Sequence, residues 1–422
     1  MPSPVAPTCP QAVPGRVMLV FGTRPEAIKM IPVLTELRRR PGLFPIALST
    51  GQHRQMLDQA MAAFGERCDL DLGLMQPGQA LPDLFARILT GVSAVLARER
   101  PALVLVHGDT TTALAAGMAA FYARIPVGHV EAGMRSHDLD QPFPEELNRV
   151  AIDAFAALRF AATETAAANL RAEYDPRGGV HVTGNTGIDA LLATATRAVF
   201  DPGFAARLDA GLPALDPTKR LVLVTAHRRE NLGGALQRIC AAIGALAARS
   251  DTEILWPLHP NPAARDPVRA ALGGRANIHL AEPLGYAGMV RAMCRAAFLL
   301  TDSGGLQEEG PALGKPVLVL REVTERPEAI AAGVARLVGT DPARIVAAAT
   351  RLLDDDDAYL AMARHAFPFG DGTAARRIAD AVEEWAAAQP GPRHARPRRM
   401  TRPASRWSLA WRGGRAAAQP AV

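Results

Sequence analysis

FLLTDSGGLQEEG, residues Phe298–Gly310, is the stretch that decides how this chain folds. Phe298-Leu299-Leu300 is a short apolar run of the kind that forms a strand buried on both faces. Gly304 and Gly305 follow it, and a helical stretch begins just behind them. A strand that ends in glycines ahead of a helix lets bare backbone N–H groups and the helix N-terminus approach a phosphate closely. Ser303, Gly304 and Gly305 are therefore a candidate phosphate cradle, and Glu308 and Glu309 just beyond are acceptors suited to sugar hydroxyls. A simple tight turn uses the same glycines, so the rest of the chain has to decide between the two readings.

Outward from this segment, short aliphatic runs alternate with helical stretches, the pattern of a parallel sheet covered by helices. The strands expected in the first half are Val17–Phe21, Pro45–Ser49, Leu103–His107, Val127–Val130, Arg159–Ala162 and Val180–Val182. After Asn185 the pattern restarts with Leu221–Thr225, Ile254–Pro257, Ile278–Leu280, Phe298–Thr301, Val317–Leu320 and Arg336–Val338. Two successive sets fit two Rossmann-like α/β domains better than one large sheet. The expected organisation is a flexible N-terminus 1–14, a first domain 15–186, a second 187–370, and a tail 390–422. A last amphipathic helix within 371–389 follows a turn near Phe367–Asp371. The region Asp201–Lys219, with three prolines and weak periodicity, is expected to be a plain connection.

The composition excludes several classes. The chain of 422 residues exceeds one ordinary core. Its hydrophobic residues make up 49% and its aromatics 5%, so the core is aliphatic and rich in alanine. No uncharged apolar run reaches the roughly 18 residues of a membrane helix, and Met1–Pro14 lacks the layout of a signal peptide. Cys9, Cys68, Cys240 and Cys294 are scattered, which fits reduced thiols in a cytoplasmic protein better than disulfides or zinc. The net charge of +5 is misleading: eight arginines and no acidic residue lie in Gly391–Val422, and subtracting them leaves −3 for the rest. That Pro/Arg/Ala-rich tail has no helical or strand period and reads as disordered, with no nucleic-acid or membrane partner required. The histidines show no metal-ligand spacing and no GxGxxG occurs, so neither a metal nor a nicotinamide or flavin cofactor is indicated.

In parallel α/β sheets the ligand lies at the carboxyl ends of the strands. After Val17–Phe21 come Gly22, Arg24, Pro25 and Lys29, two cations near a helix mouth where a diphosphate would use both charges. After Leu103–His107 comes Asp109, which would also serve as a helix cap with its threonines. After Val127–Val130 comes Glu131, a carboxylate leaving an apolar strand directly, then Arg135. Glu145 opens the next helix, where an acid also suits the dipole. Asp109, Glu131 and Glu145 thus supply three carboxylates to one cleft, and crowding of that kind separates acid and base roles. In the second half His227 and Arg228 follow a strand, His259 lies in a rigid loop, and Arg326 follows Val317–Leu320.

These blocks together resemble the non-hydrolysing UDP-N-acetylglucosamine 2-epimerase family. FGTRPEAIKM, VHGDTTT, HVEAGMRS, PEELNR, TGNTGIDAL, TAHRRENLG, DSGGLQEEG, GKPVLVLREVTERPEA and FGDG stand in order between Arg16 and Ala388. The resemblance implies a glycosyltransferase-B-like fold, two Rossmann-like domains around a cleft, with the C-terminal helix packing back on the first. It implies reversible inversion at C2 of UDP-N-acetylglucosamine through loss of UDP to 2-acetamidoglucal, serving cell-surface polysaccharide synthesis. By the same resemblance Asp109, Glu131, Glu145 and His227 are catalytic. Arg24, Lys29, Arg135, Arg228, Ser303, Gly304, Gly305, Glu309 and Arg326 bind UDP, with Glu309 on the ribose. Gln52, His53 and His259 correspond to a second, activating UDP-N-acetylglucosamine site, and a homodimer is implied. The segment Met134–Asp138 departs from the family's commoner pattern, and the tail inherits nothing from it. Two competing readings remain: a hydrolysing relative that releases free N-acetylmannosamine, and a non-catalytic nucleotide-sugar sensor, which has no need of three carboxylates in one cleft.

Overall fold

The structure, a computed structural model, describes residues 12–51, 61, 64–74, 76, 78–174 and 179–389. The expected N-terminal extension as far as residue 11, the basic tail, Gln52 and His53 lie outside the described residues. One sheet holds β1 (Val13–Phe21), β2 (Phe44–Ser49), β3 (Leu70–Asp71), β4 (Pro101–His107), β5 (Val127–Ala132), β6 (Leu158–Ala161) and β7 (Gly179–Val182). The other holds β8 (Arg220–Thr225), β9 (Thr252–Pro257), β10 (Ile278–Ala281), β11 (Phe298–Thr301), β12 (Val317–Val319) and β13 (Ala335–Leu337). Their orders are β3-β2-β1-β4-β5-β6-β7 and β10-β9-β8-β11-β12-β13, and every pairing is parallel. Two doubly wound α/β sheets are the expected fold class, and here they are in full.

The strand sequences explain the layers. Side chains alternate faces along a strand, so a run that is apolar at every position needs a helical cover on both sides. Val17, Leu19 and Phe21 of β1 enter one core, while Met18 and Val20 enter the other. In β8, Val222 and Val224 face one core and Leu221 and Leu223 the opposite one. In each sheet the strand order reverses beside the first strand, between β1 and β4 and between β8 and β11. Loops after those strands diverge to opposite faces and leave a crevice, which is where ligands bind in this architecture.

The chain crosses between the halves near Asn185 and returns near Phe369. The Asn185 N–H donates to the Phe369 carbonyl at 2.6 Å. Gly370, with φ of +136°, lies so close to the outgoing segment that a Cβ there would be 2.9 Å from the Asn185 nitrogen. Only glycine fits that approach and that backbone angle. The returning helix, Ala374–Ala388, then buries Ile378, Ala379 and Val382 among Leu34, Leu37 and the β1 core. Its first N–H groups have no partner within the helix. Asp189 supplies one, accepting from Ala375 N at 2.8 Å and Ala374 N at 3.2 Å.

Burial pushes the Asp189 carboxyl up to about 6, despite those two bonds. An acid raised on folding contributes most to stability below its unfolded pKa, and that contribution is lost as pH climbs through the folded value. Asp189→Asn removes the titration. The melting temperature of the native chain should therefore fall relative to the variant between pH 4 and 7 and then level off. A difference that stays constant across that window in thermal unfolding would show that Asp189 does not titrate there.

Three local features differ from the sequence reading. Asp201–Lys219 is not a plain connection: it contains the helix Pro202–Ala210, with Asp201 accepting from Phe204 N at 2.8 Å and Pro202 in the first turn. Asp-Pro is itself a helix-start signal, outweighed in the sequence by the two later prolines. β3 is a two-residue edge strand too short to show a period. β1 begins at Val13, whose N–H donates to the Arg100 carbonyl at 2.9 Å, so two residues of the expected extension belong to the sheet.

Candidate active site

The first wall of the crevice is built from the ends of β1, β4 and β5. Thr23 caps the helix Arg24–Arg38 in a capping box with Glu26. The Glu26 carboxylate accepts from Thr23 N at 2.8 Å and Gly22 N at 3.1 Å, and its other oxygen accepts from Thr110 Oγ1 at 2.6 Å. Glu26 therefore ties the loop carrying Arg24 to the loop carrying Asp109. Arg24 is half-buried in the first helical turn and has no hydrogen-bond or ion-pair partner among the described residues.

Glu131 is the most constrained residue of the wall. Its φ of +66° lies in the left-handed region, and the β5–β6 register slips between Val130 and Ala132. Such a bulge re-aims a side chain, and a non-glycine residue in this region costs on the order of 1–3 kcal/mol. The strain turns the carboxylate into the crevice, where Lys29 Nζ meets Oε1 at 2.6 Å and Asn185 Nδ2 donates to it at 3.2 Å. His107 Nε2 lies 3.2 Å from Oε2, though without hydrogen-bond alignment. Burial alone would raise the Glu131 carboxyl, but Lys29 above all overrides it and holds the group at about 2, fully ionised at neutral pH. Burial pushes His107 down to about 3, so that ring is neutral.

Asp109 and Glu145 complete the carboxylate group. Burial lifts the Asp109 carboxyl above its ordinary range; Arg149, 2.9 Å away, pulls it back, and Glu131 and Glu145 push it further up. The Asp109 carbonyl accepts from Asn148 Nδ2 at 2.8 Å, which fixes its loop on the helix Glu145–Phe155. Glu145 starts that helix half-buried, its carbonyl accepting from Arg149 Nε at 3.4 Å and its carboxylate without a hydrogen-bond partner among the described residues. Its neighbour Glu146 is buried and holds the preceding loop through Ser136 N at 2.9 Å and His137 N at 3.2 Å.

The opposite wall comes from the ends of β8, β11 and β12. Asp302, fully buried, organises it: one oxygen accepts from His227 N and Arg228 N, both at 2.8 Å, and from Asn231 Nδ2 at 3.0 Å. Its other oxygen lies 3.3 Å from His227 Nδ1. Burial lowers the His227 pKa, with His259 and Arg228 in the same direction and Asp302 opposing. The His227 and His259 rings stack at 5.3 Å with planes 2° apart. Ser303 caps the helix Gly304–Ala312 through its backbone alone. A Cβ on Gly304 would sit 3.5 Å from Arg228 Nη2 and 3.6 Å from Arg326 Nη2, so this helix mouth opens between two guanidinium groups. Burial and the Glu308 charge push the Glu309 carboxyl up to about 8, against the pull of Lys29.

The crevice thus brings together Arg24, Lys29, Asp109, Glu131 and Glu145 on one side and His227, Arg228, Ser303, Gly304, Gly305, Glu309 and Arg326 on the other. Two sequence readings change. Arg135 does not reach a phosphate: its side chain is 1% exposed and is held by Asp153 at 2.8 Å and Glu173 at 2.6 Å. Glu308 is not free for a sugar, because Arg326 Nε and Asn185 Nδ2 already donate to its two oxygens. The sequence reading overlooked Asn185, Asp302, Glu26 and His107 as parts of the site. Two of them carried a local signal, the capping-box spacing of Glu26 after Thr23 and the helix-cap type of Asn185, and neither signal points to a ligand. Chemically, the arrangement offers an anion seat with two guanidinium groups and a helix N-terminus, facing an ionised carboxylate and a second carboxyl of raised pKa.

The UDP-N-acetylglucosamine 2-epimerase family model matches residues 35–383. The UDP-N-acetylglucosamine 2-epimerase of Escherichia coli is 48% identical over 369 residues, covering 87% of this chain and 98% of the relative. That of Campylobacter jejuni is 43% identical over 367 residues, covering 86% and 96%. Among solved structures, a UDP-GlcNAc 2-epimerase from Neisseria meningitidis bound to UDP-GlcNAc matches with a TM-score of 0.81 at 42% identity, over 87% of this chain and 100% of that one. One from Methanocaldococcus jannaschii, in complex with UDP-GlcNAc and UDP, matches with a TM-score of 0.71 at 29% identity, over 87% and 99%.

Proposed function

The chain belongs to the UDP-N-acetylglucosamine 2-epimerase family, and from that premise we propose that it inverts C2 of UDP-N-acetylglucosamine by eliminating and re-adding UDP. A carboxylate removes the C2 proton, the C1–O bond breaks with its electron pair leaving on UDP, and 2-acetamidoglucal remains. Protonation of C2 on the other face and return of the UDP oxygen to C1 give UDP-N-acetylmannosamine. Atoms and charge balance without any cofactor.

The single observation that carries this reading is Glu131, an ionised carboxylate twisted by its bulge to face a diphosphate seat. Glu131, already ionised, is the base of one direction. Asp109, with its raised pKa, holds a proton more readily and supplies the acid, with Glu145 beside it. The departing diphosphate develops charge, which fixed donors stabilise better than water does. Arg228, Arg326, Ser303 and the N–H groups at Gly304 and Gly305 form that seat, and Glu309 accepts ribose hydroxyls. His227, oriented by Asp302, stands beside the leaving group.

The enzyme is read as a cytoplasmic homodimer that supplies a cell-surface polysaccharide precursor. In the second, activating UDP-N-acetylglucosamine site that the family resemblance implies, His259 would stand beside the first site through its stack on His227. Proton NMR of the enzyme with UDP-N-acetylglucosamine in deuterated water tests the reaction. The expected result is two interconverting nucleotide-sugars with deuterium entering C2. Accumulating free N-acetylmannosamine would replace this reading with hydrolysis.

A further inference from the structure

Asn185 occupies a position that neither wall explains alone. It precedes the helix Thr186–Phe200 at the crossing between the two halves, and its side chain is used completely. Oδ1 accepts from Gly187 N at 2.8 Å and caps the helix, which fixes the orientation of the amide. Nδ2 then has two hydrogens. It donates to Glu131 Oε1 at 3.2 Å in the first half and to Glu308 Oε2 at 2.6 Å in the second. Glu308 in turn takes the Arg326 guanidinium, and Glu131 takes Lys29. Lys29, Glu131, Asn185, Glu308 and Arg326 therefore form one unbroken chain across the floor of the crevice, with Asn185 as its only neutral member.

Resting on the functional reading above, we propose that Asn185 is a positioning residue that couples the diphosphate seat to the Glu131 base. Arg326 is shared between Glu308 and the seat. Glu308 holds the Arg326 guanidinium and the Asn185 amide holds Glu308, so the amide keeps Arg326 and the Glu131 carboxylate in one register. Without it Glu131 keeps Lys29 but loses the donor that ties its Oε1 to the second half, and the carboxylate is free to turn from the seat. Titratable groups facing Glu131 are Lys29 from the helix Arg24–Arg38, the neutral His107 from β4, Asp109 from the following loop, Glu308 from the helix Gly304–Ala312, and Arg326.

Two substitutions that keep a capping oxygen test this. Asn185→Ser retains the cap but is too short to reach either carboxylate. It should bind UDP within about threefold of the native enzyme while kcat falls about tenfold, the effect of losing one hydrogen bond to a charged group. Asn185→Asp places a third carboxylate between two others, so its own pKa rises. Protonated, it is again a neutral donor. Its deficit in kcat should therefore be largest at pH 8 and shrink toward pH 6, a recovery that a purely structural lesion does not give. Calorimetry with UDP and the NMR turnover assay from pH 6 to 8 read both variants, with thermal unfolding to confirm folding. An Asn185→Ser enzyme within twofold of native kcat, or an Asn185→Asp deficit independent of pH, overturns the coupling. If Asn185→Ser does not fold, the Asn185→Asp profile decides alone. A native chain that interconverts no nucleotide-sugar instead overturns the functional reading on which the inference rests.

Discussion

Glu131→Gln should abolish nearly all turnover while leaving UDP bound. Removing a positioned general base costs about 10²–10⁴-fold, and the glutamine cannot take a proton at all. The loss is expected at the upper end, near 10³-fold or beyond, because Glu131 is a carboxylate held ionised, with its pKa at about 2, and turned into the crevice by its bulge. Binding should survive for a geometric reason. On the proposed reading UDP is held by the opposite wall, through Arg228, Arg326 and the mouth of the helix Gly304–Ala312, and none of these makes a hydrogen bond to Glu131. Glutamine keeps an oxygen that Lys29 can reach, and Lys29 still faces the Glu308 charge. The expected pattern is a dissociation constant for UDP within about fivefold of native by calorimetry and no C2 deuterium incorporation by NMR. Turnover within tenfold of native would take Glu131 out of the chemistry.

The same substitution separates two roles that crowding usually confounds. Glu131 is one of the charges that raise Asp109. Neutralising it lowers the Asp109 pKa, so any residual activity should fade at a lower pH on its alkaline side than in the native enzyme. A scaffold role for Glu131 would instead lower activity evenly across pH.

How much of this was legible in the sequence depends on the distance over which each feature is specified. Aliphatic runs such as Leu103–His107 specify their own strand, because a parallel strand buried on both faces needs no partner to be recognisable. The polar residue that ends each run was then legible as a crevice residue, which is how Asp109, Glu131, His227 and Ser303 were found. What was hidden depends on pairing between distant segments. Arg135 looks like a free cation beside Glu131, yet Asp153 and Glu173 claim it from two helices that the linear sequence does not show to be adjacent. Glu308 and Glu309 are neighbours with equal chemistry in the sequence. The helix turns one toward Arg326 and Asn185, while the other carries the raised pKa. Asn185 announces a helix start but not its two carboxylate partners, which come from opposite halves of the molecule. The backbone angle of Glu131 was also out of reach, since nothing in a Val-Glu-Ala run signals a bulge.

Gly304→Ala should weaken UDP binding strongly without harming the fold, a combination that few substitutions in a buried helix mouth would give. In the folded chain an added Cβ meets the Arg228 and Arg326 guanidinium nitrogens at 3.5 and 3.6 Å, ordinary contact distances. Alanine is also the better helix former, by about 1 kcal/mol relative to glycine. The melting temperature should stay the same or rise. The methyl group, however, stands between the two cations, where a phosphate oxygen has to come within roughly 3 Å of the backbone N–H. Displacing the phosphate by one carbon radius forfeits the helix N-terminus together with both charge-assisted contacts. Affinity for UDP should fall at least about a hundredfold, since the two charge-assisted contacts alone contribute about 1.5 kcal/mol each. Uridine, which carries no phosphate, is the control: its weaker binding should change less than threefold, since the proposed Glu309 contact with the ribose is untouched. Equal losses for UDP and uridine would mean that the methyl distorts the whole pocket. Unchanged UDP binding would mean that the diphosphate lies elsewhere, and with it the reason for two arginines converging on one glycine.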